Sequence, residues 1–374
     1  MRPASPTRRA AASIAAALAF LTAAGQASAE PNAKQVFSAQ HTAAALPAES
    51  LGFYTKGCLA GGAQLPADGP TWQAMRLSRD RHYGLPTTVA FIENLSREAA
   101  RRGIWPGLLV GDMSQPRGGP MPSGHSSHQI GLDLDIWLQP MPTPRLTAAA
   151  REDFPFRSVL KKGTFQVDDR IWNSRYRDLI KLAAEDAKVQ RIFVHPGIKK
   201  KLCETAGDDR AWLNKVRPYY GHHEHFHVRL FCQPGSPNCT EQKSTGRGDG
   251  CGDLDWWFNT ALQPPPPNAK PAKPKPEMTL ADMPRQCRAV ANAPAMGSTG
   301  SMIAATRARG PYRLLSGSPM RHRVPYRFRR TGRLADPAAT GLFCVRHGSV
   351  LCRSAYESIE ADILWNNGVT VRTR

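Results

Sequence analysis

Apolar and polar positions alternate most clearly in two stretches of the chain. In Gly131–Leu138 the residues Leu132, Leu134, Ile136 and Leu138 share one face of an extended strand, while Asp133 and Asp135 share the other. In His225–Phe231 the apolar set is Phe226, Val228 and Leu230, and the opposite set is His225, His227 and Arg229. Leu108–Met113 and Gln190–His195 are further strand-like segments. Helical spacing marks Thr87–Arg102, through Val89, Ile92, Leu95 and Ala99 with Gly103 as a stop, and Trp172–Ala187, through Ile180 and Leu182. Helices and short strands are mixed without a regular βαβ rhythm. The pattern predicts an α+β fold: a small, mainly antiparallel sheet with flanking helices.

Outside these segments the character of the chain changes. Arg2, Arg8 and Arg9 precede an apolar stretch, Ala10–Ala24, and Ala27-Ser28-Ala29 forms a small-residue cleavage site. That order predicts a secretory signal peptide over residues 1–29. The apolar stretch is shorter than the about 20 residues of a membrane span, and no other approaches it, so no stable membrane insertion is expected. The eight cysteines suit export and disulfides; the C-x2-4-C knuckle of a structural zinc site is missing. Residues 30–290 are expected to form the globular unit, with the Pro-rich segment 263–276 as a stiff strap across it. Residues 291–374 carry thirteen arginines, no lysine and only four acids, which predicts a basic, poorly ordered extension. The net charge of +20 implies an anionic partner. For an exported chain this is an acidic wall polymer and not nucleic acid.

Six of the eleven histidines fall in two segments, Ser123–Trp137 and Tyr220–Leu230. A catalytic zinc ion takes three protein ligands from imidazole and carboxylate and keeps one position open. Antiparallel pairing of the two alternating strands would bring Asp135 and His227 together, and His128, in the loop before the first strand, could complete such a site. His223-Glu224-His225-Phe226-His227 also satisfies H-E-x-x-H, which requires a helix. Gly221 and the alternation up to Leu230 argue for a strand, on which His223 and His227 would lie about 13 Å apart at roughly 3.3 Å per residue.

His128-x6-Asp135 followed far downstream by His225-x-His227 resembles the superfamily of lysostaphin-type, D-Ala-D-Ala and hedgehog-type metallopeptidases. Within it, SGHSSHQIGLDLDIWL, IFVHPGIKKKLC and GHHEHFHVRL with Cys232 behind it are similar to the penicillin-insensitive murein endopeptidases, over roughly residues 35–290. The resemblance implies a zinc site on the sheet with His128, Asp135 and His227 as ligands. It places His225 and His222 beside the metal as catalytic groups, and His125 where a second ion would bind. It also implies the disulfides Cys58–Cys287, Cys203–Cys251 and Cys232–Cys239; Cys344 and Cys352 lie outside it and could pair together.

The implied activity is zinc-dependent D,D-endopeptidase cleavage of the D-alanyl–diaminopimelate cross-link of peptidoglycan, in the periplasm. The alternatives are a D,D-carboxypeptidase or dipeptidase acting on free stem peptides, and a non-catalytic wall-binding protein. Asp133 is expected to hydrogen-bond a ligand, Arg217 and Arg229 to engage substrate carboxylates, His195 to be structural, Glu224 solvated, and Trp256 and Trp257 to lie in the core. The oligomeric state is not legible.

Overall fold

The computed structural model describes residues 30–264, 268 and 276–297, and one short strand pair beyond them. The signal peptide expected at 1–29, most of the strap, the basic extension from residue 298 and the Cys344–Cys352 pair fall outside the described residues. The separate strand pair joins Val345–Arg346 to Ser349–Val350, antiparallel.

The first part of the chain holds helix α1 (Ala33–Ser38), the hairpin of β1 (Glu49–Phe53) and β2 (Lys56–Ala60), and four short strands. These are β3 (Ala63–Gln64), β4 (Asp68–Gly69), β5 (Trp72–Ala74) and β6 (Tyr83–Gly84). Helix α2 (Pro86–Arg101) and strands β7 (Leu108–Val110) and β8 (Asp133–Pro140) come next. The second half holds α3 (Ala148–Asp153), α4 (Ser174–Glu185), β9 (Val189–Val194), α5 (Pro196–Thr205), β10 (Val216–Pro218), β11 (His225–Leu230) and α6 (Gln286–Asn292).

Local chemistry sets the helix ends. Pro86 opens α2 at the first turn, where a missing N–H costs nothing. The Asn173 side chain accepts from the Arg175 N–H and caps α4, so this helix starts two residues later than its apolar pattern.

Seven strands form one sheet in the order β10-β9-β11-β8-β7-β5-β4. The four inner and edge pairings β9–β11, β11–β8, β8–β7 and β5–β4 are antiparallel. The pairings β10–β9 and β7–β5 are parallel, so the sheet is mixed and larger than the sequence suggests. The additional strands have only two or three residues each, too few to carry a readable period.

One face of the central strands is apolar. Leu134, Ile136 and Leu138 of β8, Phe226, Val228 and Leu230 of β11, and Ile192 and Val194 of β9 are all buried in one core. Phe91, Ile92, Leu95 and Ala99 of α2 and Leu179, Ile180 and Ala183 of α4 belong to the same core. Each such side chain contributes about 1.5–3 kcal/mol of burial. Because side chains alternate, this packing turns Asp133, Asp135, His227 and Arg229 to the opposite face, and a slip of one residue would drive the carboxylates into the core.

Cys58–Cys287, Cys203–Cys251 and Cys232–Cys239 are disulfides. The first ties β2 to α6 within a second apolar cluster that includes Phe37, Leu51, Leu280, Met283 and Val290. Trp256 is not core: its side chain is 55% exposed, and Trp257 is half-buried. Both sit at the start of a short helical segment that runs to Ala261.

Candidate metal centre

Strands β8 and β11 pair with His227 directly opposite Asp135 and Arg229 opposite Asp133. His128 enters from the loop before β8 with a left-handed backbone, φ 66°, a conformation that costs an ordinary residue about 1–3 kcal/mol. Two hydrogen bonds hold it there. Its N–H donates to Asp133 Oδ2 at 3.1 Å, and its carbonyl accepts from the Ser114 hydroxyl.

The result is a triangle of donor atoms. His128 Nε2 lies 3.2 Å from His227 Nδ1 and 3.5 Å from Asp135 Oδ1, and His227 Nδ1 lies 3.2 Å from the same carboxylate oxygen. Bonds of about 2.0–2.2 Å to a tetrahedral zinc ion put ligand atoms roughly 3.3–3.5 Å apart, so this triangle is of the right size. Asp135 Oδ1 is buried and has no hydrogen-bond partner among the described residues. Such an orphan costs about 1–3 kcal/mol unless something else satisfies it, and a cation on that oxygen does so.

The other carboxylate oxygen looks toward His125. His125 Nε2 is 3.3 Å from Asp135 Oδ2 and 3.3 Å from Asp112 Oδ2. His125, His128 and Asp135 thus form a second group able to hold a cation, with donor atoms within 4.8 Å of one another. The two groups share His128 and Asp135. Burial lowers the basicity of His125, but the Asp135 and Asp112 carboxylates outweigh it and hold its pKa at about 9. Asp112 is in turn held down at about 2: burial opposes ionisation, and the His125 hydrogen bond and the Arg81 charge, 2.9 Å away, prevail. Nothing in the sequence pattern singled out Asp112. Its one signal was an acid directly after an apolar strand, at Val110-Gly111-Asp112.

A buried ion pair supports the triangle from behind. Asp133 accepts from His227 Nε2 at 2.9 Å and from Arg229 Nε and Nη2 at 2.7 and 3.1 Å. Arg229 is packed over the Tyr54 ring, 4.1 Å from its centre, and donates to Gln242 Oε1. Its head group is therefore spent on Asp133, which corrects the expectation that it meets substrate carboxylates. Arg217 packs against Gly250, outside the triangle.

His225 lies on β11 beside the triangle, with Nε2 3.6 Å from Asp135 Oδ1 and neither ring nitrogen hydrogen-bonded among the described residues. His222 has a left-handed backbone, φ 55°, and its Nδ1 pairs with the Tyr220 carbonyl. Its ring centre is 4.9 Å from that of His225 and 5.8 Å from that of His227. The H-E-x-x-H run is not helical. His223 precedes β11, contacts Glu224 and His195, and has no part in the triangle. His195 caps α5, its Nδ1 accepting from the Gly197 N–H, which is a structural role.

Cavities open on both sides of the triangle, and His125 borders both. One is walled by Arg76, Arg79, Trp137, Phe156 and His225. The other is walled by Phe53, Thr55, Phe193, Tyr219 and His222. Phe156 stacks on His225 at 5.6 Å; it comes from an irregular loop, which offers no period to read.

Imidazoles gathered about a buried carboxylate at the floor of an open cleft, with further imidazoles alongside, make a site that could hold a metal ion. A family model described as penicillin-insensitive murein endopeptidase matches residues 50–292. The penicillin-insensitive murein endopeptidase of Haemophilus influenzae is 44% identical over 248 residues, covering 66% of this chain and 84% of its own length. Proteins of the same name from Yersinia pestis bv. Antiqua and Klebsiella pneumoniae are 43% and 41% identical, each over at least 65% of this chain and 86% of their own length. The chain belongs to the penicillin-insensitive murein endopeptidase family.

Proposed function

We propose that this protein is a zinc-dependent D,D-endopeptidase that hydrolyses the D-alanyl–diaminopimelate amide cross-linking peptidoglycan strands, and that it works in the periplasm. The observation that carries the reading is the cleft, which continues to both sides of the donor triangle. A chain can extend away from the reacting amide in both directions, as an endopeptidase requires. A carboxypeptidase or dipeptidase is better served by a cleft closed on one side. No described helix is long and apolar enough to cross a membrane.

In this reading His128, Asp135 and His227 hold the ion, and His125 with Asp112 lies where a second would sit. Bound zinc supplies Lewis acidity to the scissile carbonyl and to the attacking water. The remaining work belongs to the side chains. His225, with neither ring nitrogen hydrogen-bonded among the described residues, takes up the proton of the water and delivers it to the leaving amine. Burial holds His225 below its ordinary pKa, which keeps the imidazole neutral and able to accept. His222 stands beside it, on the wall of the neighbouring cavity. No serine is acylated in this scheme, which accounts for indifference to β-lactams.

Digestion of purified cross-linked muropeptide dimers, with and without a chelator, followed by mass analysis of the products, tests the proposal. Uncross-linked monomers formed only when zinc is present are expected. Removal of terminal D-Ala alone would transfer the activity to the carboxypeptidase class, and the absence of any zinc-dependent product would leave wall binding as the function.

A further inference from the structure

A chain of aromatic rings runs outward from the metal centre. It begins at His222, whose ring centre is 5.7 Å from that of Tyr219. Tyr219 meets Tyr220 at 6.0 Å, Tyr220 meets Trp257 at 5.1 Å, and Trp257 meets Trp256 at 5.1 Å. Each of these last three contacts is edge-to-face, at 65–79° between ring planes, so every ring braces the next. Despite this bracing, Tyr219, Tyr220 and Trp256 are 48%, 49% and 55% exposed.

Single exposed aromatics are ordinary. A connected run of them is not, because each would gain from burial, and contiguous apolar patches on a soluble surface mark binding sites. The rings are also of the amphipathic kind: Tyr and Trp present an apolar face with one polar edge, and with two side-chain torsions each they lose little entropy on binding. A pyranose ring has the matching surface, an apolar C–H face rimmed by hydroxyls. The run starts at the wall of the cleft, since Tyr219 and His222 both line the cavity on the His227 side. Whatever it binds is therefore continuous with what the cleft binds.

We infer that Tyr219, Tyr220, Trp257 and Trp256 form a carbohydrate-binding platform that holds the glycan strand to which the scissile stem peptides are attached. This rests on the endopeptidase reading for its substrate, since in peptidoglycan every cross-linked peptide hangs from a glycan. The two cavities beside the triangle account for the peptide arms; the aromatic run begins at the wall of one of them, at Tyr219, and continues through Tyr220 to Trp257 and Trp256. The platform would keep the enzyme on its polymer between successive cuts.

The test compares two substrates carrying the same cross-link, a sugar-free peptide dimer and a dimer still attached to glycan strands. Trp256→Ala and the double variant Trp256→Ala/Tyr220→Ala change exposed side chains, so an unchanged melting temperature is expected. Activity on the sugar-free dimer should be preserved, while kcat/KM on the glycan-linked dimer should fall about ten-fold in the double variant, from the loss of two stacking contacts. Peptide-free glycan strands should quench tryptophan fluorescence of the metal-free wild type and not of the double variant. Equal losses on both substrates, or no binding of peptide-free glycan to the wild type, would overturn the platform. Failure of the wild type to cut the sugar-free dimer would instead remove the endopeptidase reading, and the fluorescence titration would still decide the platform.

Discussion

Asp133 and Arg229 face each other across β8 and β11, both buried, with the guanidinium donating to the carboxylate from Nε at 2.7 Å and Nη2 at 3.1 Å. The same carboxylate receives His227 Nε2, which leaves His227 Nδ1 directed at Asp135. Arg229 thus orients His227 through Asp133 and fixes which ring nitrogen faces Asp135.

Asp133→Asn keeps the shape and removes the charge. It leaves Arg229 buried without its partner, which is expected to cost about 3–5 kcal/mol of stability. The loosened His227 should weaken zinc binding by about 10–100-fold. Urea denaturation of the metal-free protein reads the first effect, and competition against a chromophoric chelator reads the second. A variant that keeps full zinc affinity would show that the ion pair supports the fold and not the ligand.

His225 and His227 are two residues apart on one strand face and are assigned different work. His227→Ala should lose both zinc and activity. His225→Ala should retain zinc and lose activity by about 10²–10⁴-fold, the usual value of a proton-transferring group. Metal analysis of the purified variants beside turnover rates separates them; an empty site in His225→Ala would make His225 a ligand.

The part of this site that was legible in the sequence lay where two constraints met on one strand. In β8 and β11 the apolar face packs on helices while the other carries Asp133, Asp135, His225, His227 and Arg229, so the alternation is readable there in spite of Trp137, and Asp135 and His227 could be matched from the pattern alone. Strands β5 and β10 have three residues each and gave no such period, and both form the parallel pairs that were missed. Asp112 lies two residues past the end of a short strand, and Phe156 lies in an irregular loop; each reaches the site through tertiary packing, which local pattern does not encode. Trp256 departs from the core position expected of a large aromatic, which is usually buried, and only the fold shows that it caps a short helical turn with its side chain 55% exposed.

Lys199 offers a pH prediction remote from the donor triangle. Its side chain is fully buried on α5, donating to the carbonyls of Leu213 and Asp249 at 2.8 and 2.5 Å. Burial, helped by the charge of Arg217, pushes its pKa down to about 7. An unfolded lysine titrates near about 10.4, so between these values the unfolded chain holds more protons and stability rises with pH. The penalty is complete below about pH 7 and disappears as the pH approaches 10. Relative to Lys199→Met, the wild type should gain up to about 1.4 kcal/mol per pH unit between about pH 7.5 and 9.5. Parallel denaturation curves at several pH values measure the difference; identical slopes would mean that Lys199 stays charged in the fold.

Cys58–Cys287 closes a loop across 229 residues and joins the first hairpin to the last described helix. Replacing both cysteines by alanine should remove about 5.4 kcal/mol by the loop-entropy model. The loss should be visible as a lower denaturation midpoint and as earlier proteolysis around α1 and α6. A midpoint that does not move would place the holding force in the Phe37–Leu51–Val290 cluster alone.

His128 and His227 stand 99 residues apart in the chain and meet only when β8 and β11 are in register. No segment made early in synthesis owns the complete set of donors. Hydrolytic competence therefore waits on closure of the central strand pair, and a chain in which that pair has not yet formed cannot cut murein.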